Sequence, residues 1–372
     1  MRYSPFRMER WQSTYEHRVD INLSESGVHP LTVDELVALS GRDLDVGSTL
    51  LGYGQSNGSD ELRALVAGQY DGASDASVLV TTGGAEANFA CFWHLFEGDA
   101  KAAIVVPTYG QVPGLLESFG SRLLPVPLRE SDDWQPDLDA LEGALDAGAT
   151  FVLVTNPNNP TGASLSRASM DAIAELTEKH GAWILADEVY AGAEAHGTRT
   201  PSFWGCHDRV LVTNSLSKAY GLPGLRLGWI VGPDALVEEL WGRTDYITIA
   251  PSSLSDLLAR VALEPRTRAR IGERTRGIVR KNLGVLREWM DAQEGRFRYR
   301  APDAGAICYT HYDAPVNSSE FAEKLRVEQS VLVVPGDHFG MDHYLRLGFG
   351  NPEDELLAGL DRIRAAFDEV TA

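Results

Sequence analysis

Lys218 lies in the run N-S-L-S-K-A-Y-G-L-P-G-L-R-L-G, residues 214–228, whose residue types suit a lysine that forms an imine. An amine attacks an aldehyde only when neutral, so such a lysine needs its pKa lowered by burial or by nearby positive charge. Ser215 and Ser217 supply hydroxyls, Arg226 supplies a fixed cation, and the glycines allow backbone to approach a bound phosphate closely. The run pairs a nucleophile with an anion site. A lone S-x-S-K is more often a polar surface turn, but here other features accompany it.

The stretch V-L-V-T-N-P-N-N-P-T-G, residues 152–162, drives an apolar strand into a polar turn and sets Asn159 at the strand's carboxyl end. Ligands collect at that edge in open α/β sheets. A second apolar strand, A-W-I-L-A-D-E-V-Y at 182–190, delivers Asp187 to its own carboxyl end. A buried aspartate is costly unless it meets a cation or several donors, and a protonated pyridine nitrogen is such a cation. Pyridoxal 5'-phosphate accounts for these residues together: phosphate on Ser215, Ser217 and Arg226, phenolic oxygen on Asn159, ring nitrogen on Asp187 and aldehyde on Lys218. T-G-G-A-E at 82–86 precedes a helical pattern at 87–96, so amides of Gly84 and Ala85 can add to the phosphate site. The run G-Y-G-Q-S-N-G at 52–58 does not match G-x-G-x-x-G, which argues against a dinucleotide fold.

With N-P-x-N-P-T-G, D-x-x-Y and S-x-S-K plus an arginine eight residues on, in that order, the chain resembles the fold type I, aspartate aminotransferase-like family of pyridoxal-phosphate enzymes. The likeness runs from about residue 22 to the C-terminus. It implies that Asp187 pairs with the pyridinium, that Tyr190 joins Asn159 at the phenolic oxygen and that Tyr109 stacks on the ring. It also implies a homodimer in which Tyr53 reaches the partner's phosphate. Arg346, in the alternating stretch Y-L-R-L-G-F at 344–349, then grips the substrate α-carboxylate through its two-pronged guanidinium. The implied substrate is an α-amino acid.

Glu9 to Trp11, D-I-N-L-S-E-S-G-V-H-P at 20–30, R-T-D-Y-I-T at 243–248 and V-L-V-V-P-G-D-H-F-G at 331–340 are similar to the capreomycidine synthase branch of that family. Its members cyclise a hydroxylated arginine in natural-product biosynthesis. The implied course is that Lys218 removes the α-proton of 3-hydroxyarginine, the β-hydroxyl leaves as water, and a guanidine nitrogen closes a six-membered ring. His29 is the expected acid for the departing hydroxyl, since imidazole titrates near neutrality. Glu9 faces the guanidinium, and Glu25 and Ser26 are further candidates for holding the side chain. Three alternatives stay open: an aminotransferase releasing a 2-oxo acid, a cyclase of 4-hydroxyarginine forming a five-membered ring, and a pyridoxal-binding regulator without catalysis.

The elements that must position these residues are readable from composition and period. At 372 residues and 44% hydrophobic, the chain buries substantial cores and predicts two domains. Apolar strand candidates at 78–80, 103–106, 151–155, 183–186, 210–213 and 225–231 alternate with helical patterns, which predicts an α/β large domain over 45–255 with a mostly parallel sheet covered by helices. Shorter runs at 306–312, 331–334 and 344–349, a helix near 266–290 and a final helix from 353 predict a small α+β domain formed by 1–44 and 256–372. A net charge of -20 argues against nonspecific nucleic-acid binding, and the arginine-rich stretch from 266 to 287 reads as a solvated helix face. Cys91, Cys206 and Cys308 lack metal-ligand spacing, so no metal is expected and the thiols suit a reducing compartment. No apolar stretch is long enough to span a bilayer, and a cytoplasmic location is the expectation.

Overall fold

The aliphatic runs expected to be strands lie side by side in an eight-stranded sheet in the computed structural model, which describes residues 3–96 and 100–372. In spatial order the strands are Val78–Thr81, Gly228–Val231, Val210–Ser215, Trp183–Asp187, Ala149–Thr155, Lys101–Val106, Arg122–Arg129 and Gln135–Pro136. The five from Val210–Ser215 to Arg122–Arg129 are parallel. Gly228–Val231 runs antiparallel to both of its neighbours, and Gln135–Pro136 is antiparallel at the far edge. The mostly parallel α/β architecture therefore stands.

Alternation along the strands builds a core on each face, because successive side chains point to opposite sides. Val152, Val154, Ile184, Ala186, Val210 and Val212 join one core with the helices Asp60–Ala67, Leu138–Asp146 and Ser253–Leu263. Phe151, Leu153, Leu185 and Leu211 join the other, beneath Gly84–Leu95, Gln111–Phe119 and Asp234–Thr244. Burial on both faces explains why these strands read as continuous apolar runs rather than alternating ones.

Arg122–Arg129 was not expected as a strand, because Pro125 and Pro127 interrupt its sequence. Prolines two apart remove amides on one side only, which a strand near a sheet edge tolerates. It pairs along its length with Lys101–Val106 but only at Leu128 and Arg129 with its other neighbour. The strand expected at 225–231 is shorter, Gly228–Val231, since Pro223–Leu225 forms a 3-10 turn and Arg226 takes φ 45.

A third core gathers Ile21, Leu23 and Val28 with residues from Val279 onward. It packs a four-stranded antiparallel sheet (Phe297–Tyr299, Ile307–Tyr312, Tyr344–Gly348, Val334–Pro335) with the helices Pro265–Asp291, Ser318–Glu328 and Glu353–Thr371. The single strand expected at 331–334 is divided: Val331–Leu332 pairs in parallel with Ile21–Asn22, while Val334–Pro335 pairs with Tyr344–Gly348. The basic helix Pro265–Asp291 is also less solvated than its composition suggests. Arg266, Arg280 and Lys281 are exposed, but Arg270 and Arg274 are half-buried and donate to the carbonyls of Leu39 and His29.

Candidate active site

Parallel register sets the site. Thr155 aligns with Asp187, and Asp187 with Thr213, so the turns carrying Asn159, Tyr190 and Lys218 all leave the same edge of the sheet. Beside them the helix Gly84–Leu95 begins, with Gly84 packed against Ser215. A Cβ on Gly83 would lie 2.6 Å from Arg226 Nη2, and one on Gly228 would lie 2.6 Å from the Gly83 carbonyl carbon. Glycine at 83 and 228 is what lets the helix start, the serine turn and Arg226 come together.

A cavity of about 360 Å³ opens at this edge. It brings together Gly84, Ala85, Tyr109, Asn159, Asp187, Tyr190, Ser215, Ser217, Lys218, Arg226 and Arg346, and with them Glu9 and Ser26. Two expected residues are not in its lining. His29 has its Nδ1 3.1 Å from the Gly350 carbonyl and does not line the cavity, so its role as the acid finds no geometric support in this chain. Tyr53 lies on the surface, 90% exposed, near the similarly exposed Leu50 and Leu51.

Asp187 is buried, with Oδ2 accepting from Asn88 Nδ2 at 3.0 Å and Oδ1 from the Val189 amide at 3.2 Å. Burial pushes its carboxyl above the ordinary range, and these two donors partly offset the effect. Asn88 is fixed in turn because its Oδ1 accepts from Thr213 Oγ1 at 2.7 Å. At the other end, Arg226 donates to Ser217 Oγ at 3.4 Å and to the Pro223 carbonyl at 2.9 Å. Tyr190 donates to Ser26 Oγ at 2.9 Å and Tyr109 to Glu9 Oε2 at 3.2 Å.

Lys218 departs from expectation. Burial favours its neutral form, but Glu25 and Tyr190 outweigh burial and its pKa is raised. The reason is an ion pair that sequence distance conceals: Lys218 Nζ lies 3.2 Å from Glu25 Oε2. Lys218 in turn holds the Glu25 carboxyl below its usual range against the effect of burial.

Arg346 is 1% exposed, and burial lowers its pKa. Nη1 donates to Asn159 Oδ1 at 2.9 Å; Nη2 donates to the Ser24 carbonyl at 2.5 Å and to Gln12 Oε1 at 3.4 Å. Its buried Nε has no partner among the described residues, which leaves a donor for an incoming carboxylate.

Sequence reasoning missed Met8, Gln12, Glu16 and Asn88, all in the lining. The helix Arg7–Tyr15 supplies Met8, Glu9 and Gln12, and Glu16 caps its end. The spacing of Glu9, Gln12 and Glu16 is the signal that was available, since those positions share one helical face. Asn88 sits four residues beyond Gly84, one turn into its helix.

The residues fit pyridoxal 5'-phosphate. Two serine hydroxyls, a guanidinium and a helix N-terminus form an anion cradle; a buried carboxylate lies in the same cavity as an amine and two hydrogen-bonding side chains, Asn159 and Tyr190. Among the described residues no group of His, Cys, Asp or Glu could hold a metal ion.

Residues 20–363 match the family model for class I and II aminotransferases, and the chain belongs to that family. It is a pyridoxal 5'-phosphate-dependent enzyme. Within the family it is 33% identical to capreomycidine synthase of Streptomyces vinaceus over 361 residues, covering 96% of this chain and 92% of that protein. Two solved structures are similar at 30% identity. One is a PLP-dependent aminotransferase from Streptococcus suis 89-1591, with TM-score 0.94 over all of both chains. The other is the PLP-dependent cyclase OrfR, with TM-score 0.90 over 99% of this chain and 98% of that one.

Proposed function

We propose that this chain cyclises 3-hydroxyarginine to capreomycidine, losing water and adding a guanidine nitrogen at Cβ. The observation that carries this reading is an acidic wall: Glu9, Glu16 and Glu25 line the same cavity as Arg346 and Lys218. Burial is the main cause raising the Glu16 carboxyl, and Glu25 and Glu9 add to it, so a positive charge placed beside Glu16 is favoured. A guanidinium on the substrate supplies that charge. Identity to capreomycidine synthase and likeness to a PLP-dependent cyclase support the same branch.

In this reading Ser215, Ser217, Arg226 and the amides of Gly84 and Ala85 hold the phosphate. Asp187 faces the ring nitrogen, Asn159 and Tyr190 the phenolic oxygen, and Tyr109 the ring. The bound cofactor withdraws electrons from Cα and so makes its proton removable. Arg346 orients the substrate carboxylate, Glu9 and Glu16 of the acidic wall hold the guanidinium, and Lys218 Nζ takes the Cα proton and later returns it. The helix Arg7–Tyr15 covers this chemistry and limits water, which otherwise competes with the guanidine nitrogen. We assign Tyr53 to the phosphate site of a second copy in a homodimer, in keeping with its exposure beside Leu50 and Leu51. A cytoplasmic setting accompanies the reading: the three cysteines are free, and no helix among the described residues is long and apolar enough to cross a membrane.

A second reading, amino-group transfer, is favoured by the aminotransferase likeness and by a cofactor site that serves both reactions. Incubation of the cofactor-loaded protein with 3-hydroxyarginine or 4-hydroxyarginine, without any oxo acid, separates the two. The expected product has lost water and kept its α-amino nitrogen, with 3-hydroxyarginine the better substrate. A product that forms only with an oxo acid and emerges as a 2-oxo acid overturns the proposal, and preference for 4-hydroxyarginine redirects it to the five-membered ring.

A further inference from the structure

The cyclisation reading needs an acid for the departing hydroxyl, and His29 does not reach the cavity. We propose that Glu25 fills this place as the proton relay of Lys218. The inference rests on the cyclase reading.

Glu25 is the carboxylate in contact with Lys218, Oε2 to Nζ 3.2 Å. About half of its side chain, 47%, is open to solvent, while the rest of it is enclosed by protein. Glu25 is one of the residues that line the cavity. Its position is set by close backbone packing. A Cβ on Gly348 would fall 2.0 Å from the Glu25 carbonyl oxygen, and one on Gly350 would fall 2.0 Å from that of Gly27. On the other side, Gly27 packs against the Lys218 backbone, where a Cβ would meet Cα at 3.3 Å. The adjacent Ser26 is tied to Tyr190. The segment is wedged between the strand ending at Gly348 and the lysine turn.

The other acidic residues are differently engaged. Glu9 accepts from Tyr109, and Glu16 lies beside His17. The charged or titratable groups that act on the Lys218–Glu25 pair are Arg346, Tyr190 and Glu16.

The proton balance closes without an outside reagent. Lys218 Nζ takes the proton from Cα and becomes an ammonium. It passes one proton to Glu25 Oε2, and the resulting carboxylic acid gives it to the β-hydroxyl as the Cβ–O bond breaks, releasing water. The guanidine nitrogen then forms a bond to Cβ and loses its proton to the Glu25 carboxylate. The same pair returns that proton to Cα. The sum is one substrate converted to one ring and one water.

Glu25→Gln and Glu25→Asp are to be compared with the parent protein in two assays. The first follows recombination of the cofactor-free protein with pyridoxal phosphate by visible absorbance across a pH series. Glu25→Gln removes the carboxylate that favours the ammonium, so recombination extends to lower pH, and Glu25→Asp restores part of the original profile. The second compares exchange of the Cα proton of arginine, which has no leaving group, with water loss from 3-hydroxyarginine. In Glu25→Gln, exchange stays within about tenfold while water loss falls by about 100-fold or more. An unmoved recombination profile, or equal losses in exchange and dehydration, overturns the proposal. If the parent protein dehydrates neither hydroxyarginine, the cyclase reading fails by itself, and the recombination profile still decides whether Glu25 governs Lys218 protonation.

Discussion

Replacing Asn88 with Ala tests the electrostatic setting of Asp187 without touching the carboxylate. In the structure Asn88 provides one of two hydrogen bonds to a buried acid, at 3.0 Å. A hydrogen bond to a charged group contributes about 1.5–3 kcal/mol, against about 1 kcal/mol for a neutral pair. The excess belongs to the ionised form, so the cost of the substitution depends on pH. Burial already places the folded-state pKa of Asp187 above its unfolded value. Its ionisation therefore costs stability above the unfolded pKa, increasingly until the folded pKa is passed and constantly beyond it. Loss of Asn88 raises the folded pKa further and enlarges that cost. The assay is urea denaturation of the cofactor-free protein at several pH values, with Asp187→Asn and the double variant completing a thermodynamic cycle. We expect a coupling of about 1.5–3 kcal/mol at the alkaline end that declines toward acid pH. A coupling below about 0.5 kcal/mol, or one that does not change with pH, refutes the reasoning.

Arg346→Lys keeps the charge but loses the fork, so kcat/KM for the amino acid should fall about 10–100-fold, the equivalent of about 1.5–3 kcal/mol. A decarboxylated substrate analogue should show no such loss; equal losses for both sink the carboxylate assignment. Glu188 concerns stability instead: burial pushes its carboxyl up to about 7, and it accepts from Ser202 Oγ and the Phe203 amide. Because its folded pKa is raised, the protein loses stability as pH climbs from the ordinary carboxylate range to about 7. Glu188→Gln should match the parent below that window and exceed it by on the order of 3 kcal/mol above it, measured by denaturant midpoints. A constant offset across the window would contradict this account.

Much of the site was legible because its members sit where a period changes. Asn159, Asp187 and Lys218 each follow an apolar run, and the parallel sheet turns that local regularity into a shared edge. Six of the eight strands were equally plain; Pro125 and Pro127 disguised Arg122–Arg129, and the two-residue edge strand Gln135–Pro136 was too short to leave a period. What escaped was contact across sequence distance. Glu25 meets Lys218 193 residues away, and no local pattern announces that pairing. The low pKa expected for the lysine failed for the same reason, since its flanks show Arg226 but not the carboxylate facing it. His29 was singled out by its chemistry alone, whereas in the structure its Nδ1 meets the Gly350 carbonyl and it does not line the cavity. The acidic residues of the first helix were only partly read, with Glu9 singled out but not Glu16 on the same face.

Arg346 joins a strand near the chain's end to residues near its beginning: Gln12 is 334 positions away and Ser24 is 322. During synthesis the phosphate cradle and the lysine emerge long before this guanidinium does. On the proposed assignment, a nascent chain thus carries the residues that hold the coenzyme before it carries the guanidinium that orients the substrate carboxylate. On the same assignment, the grip on the substrate carboxylate is complete only once the strand Tyr344–Gly348 and the segment bearing Gln12 and Ser24 have both folded onto the site, so disrupting that junction should impair turnover more than cofactor capture.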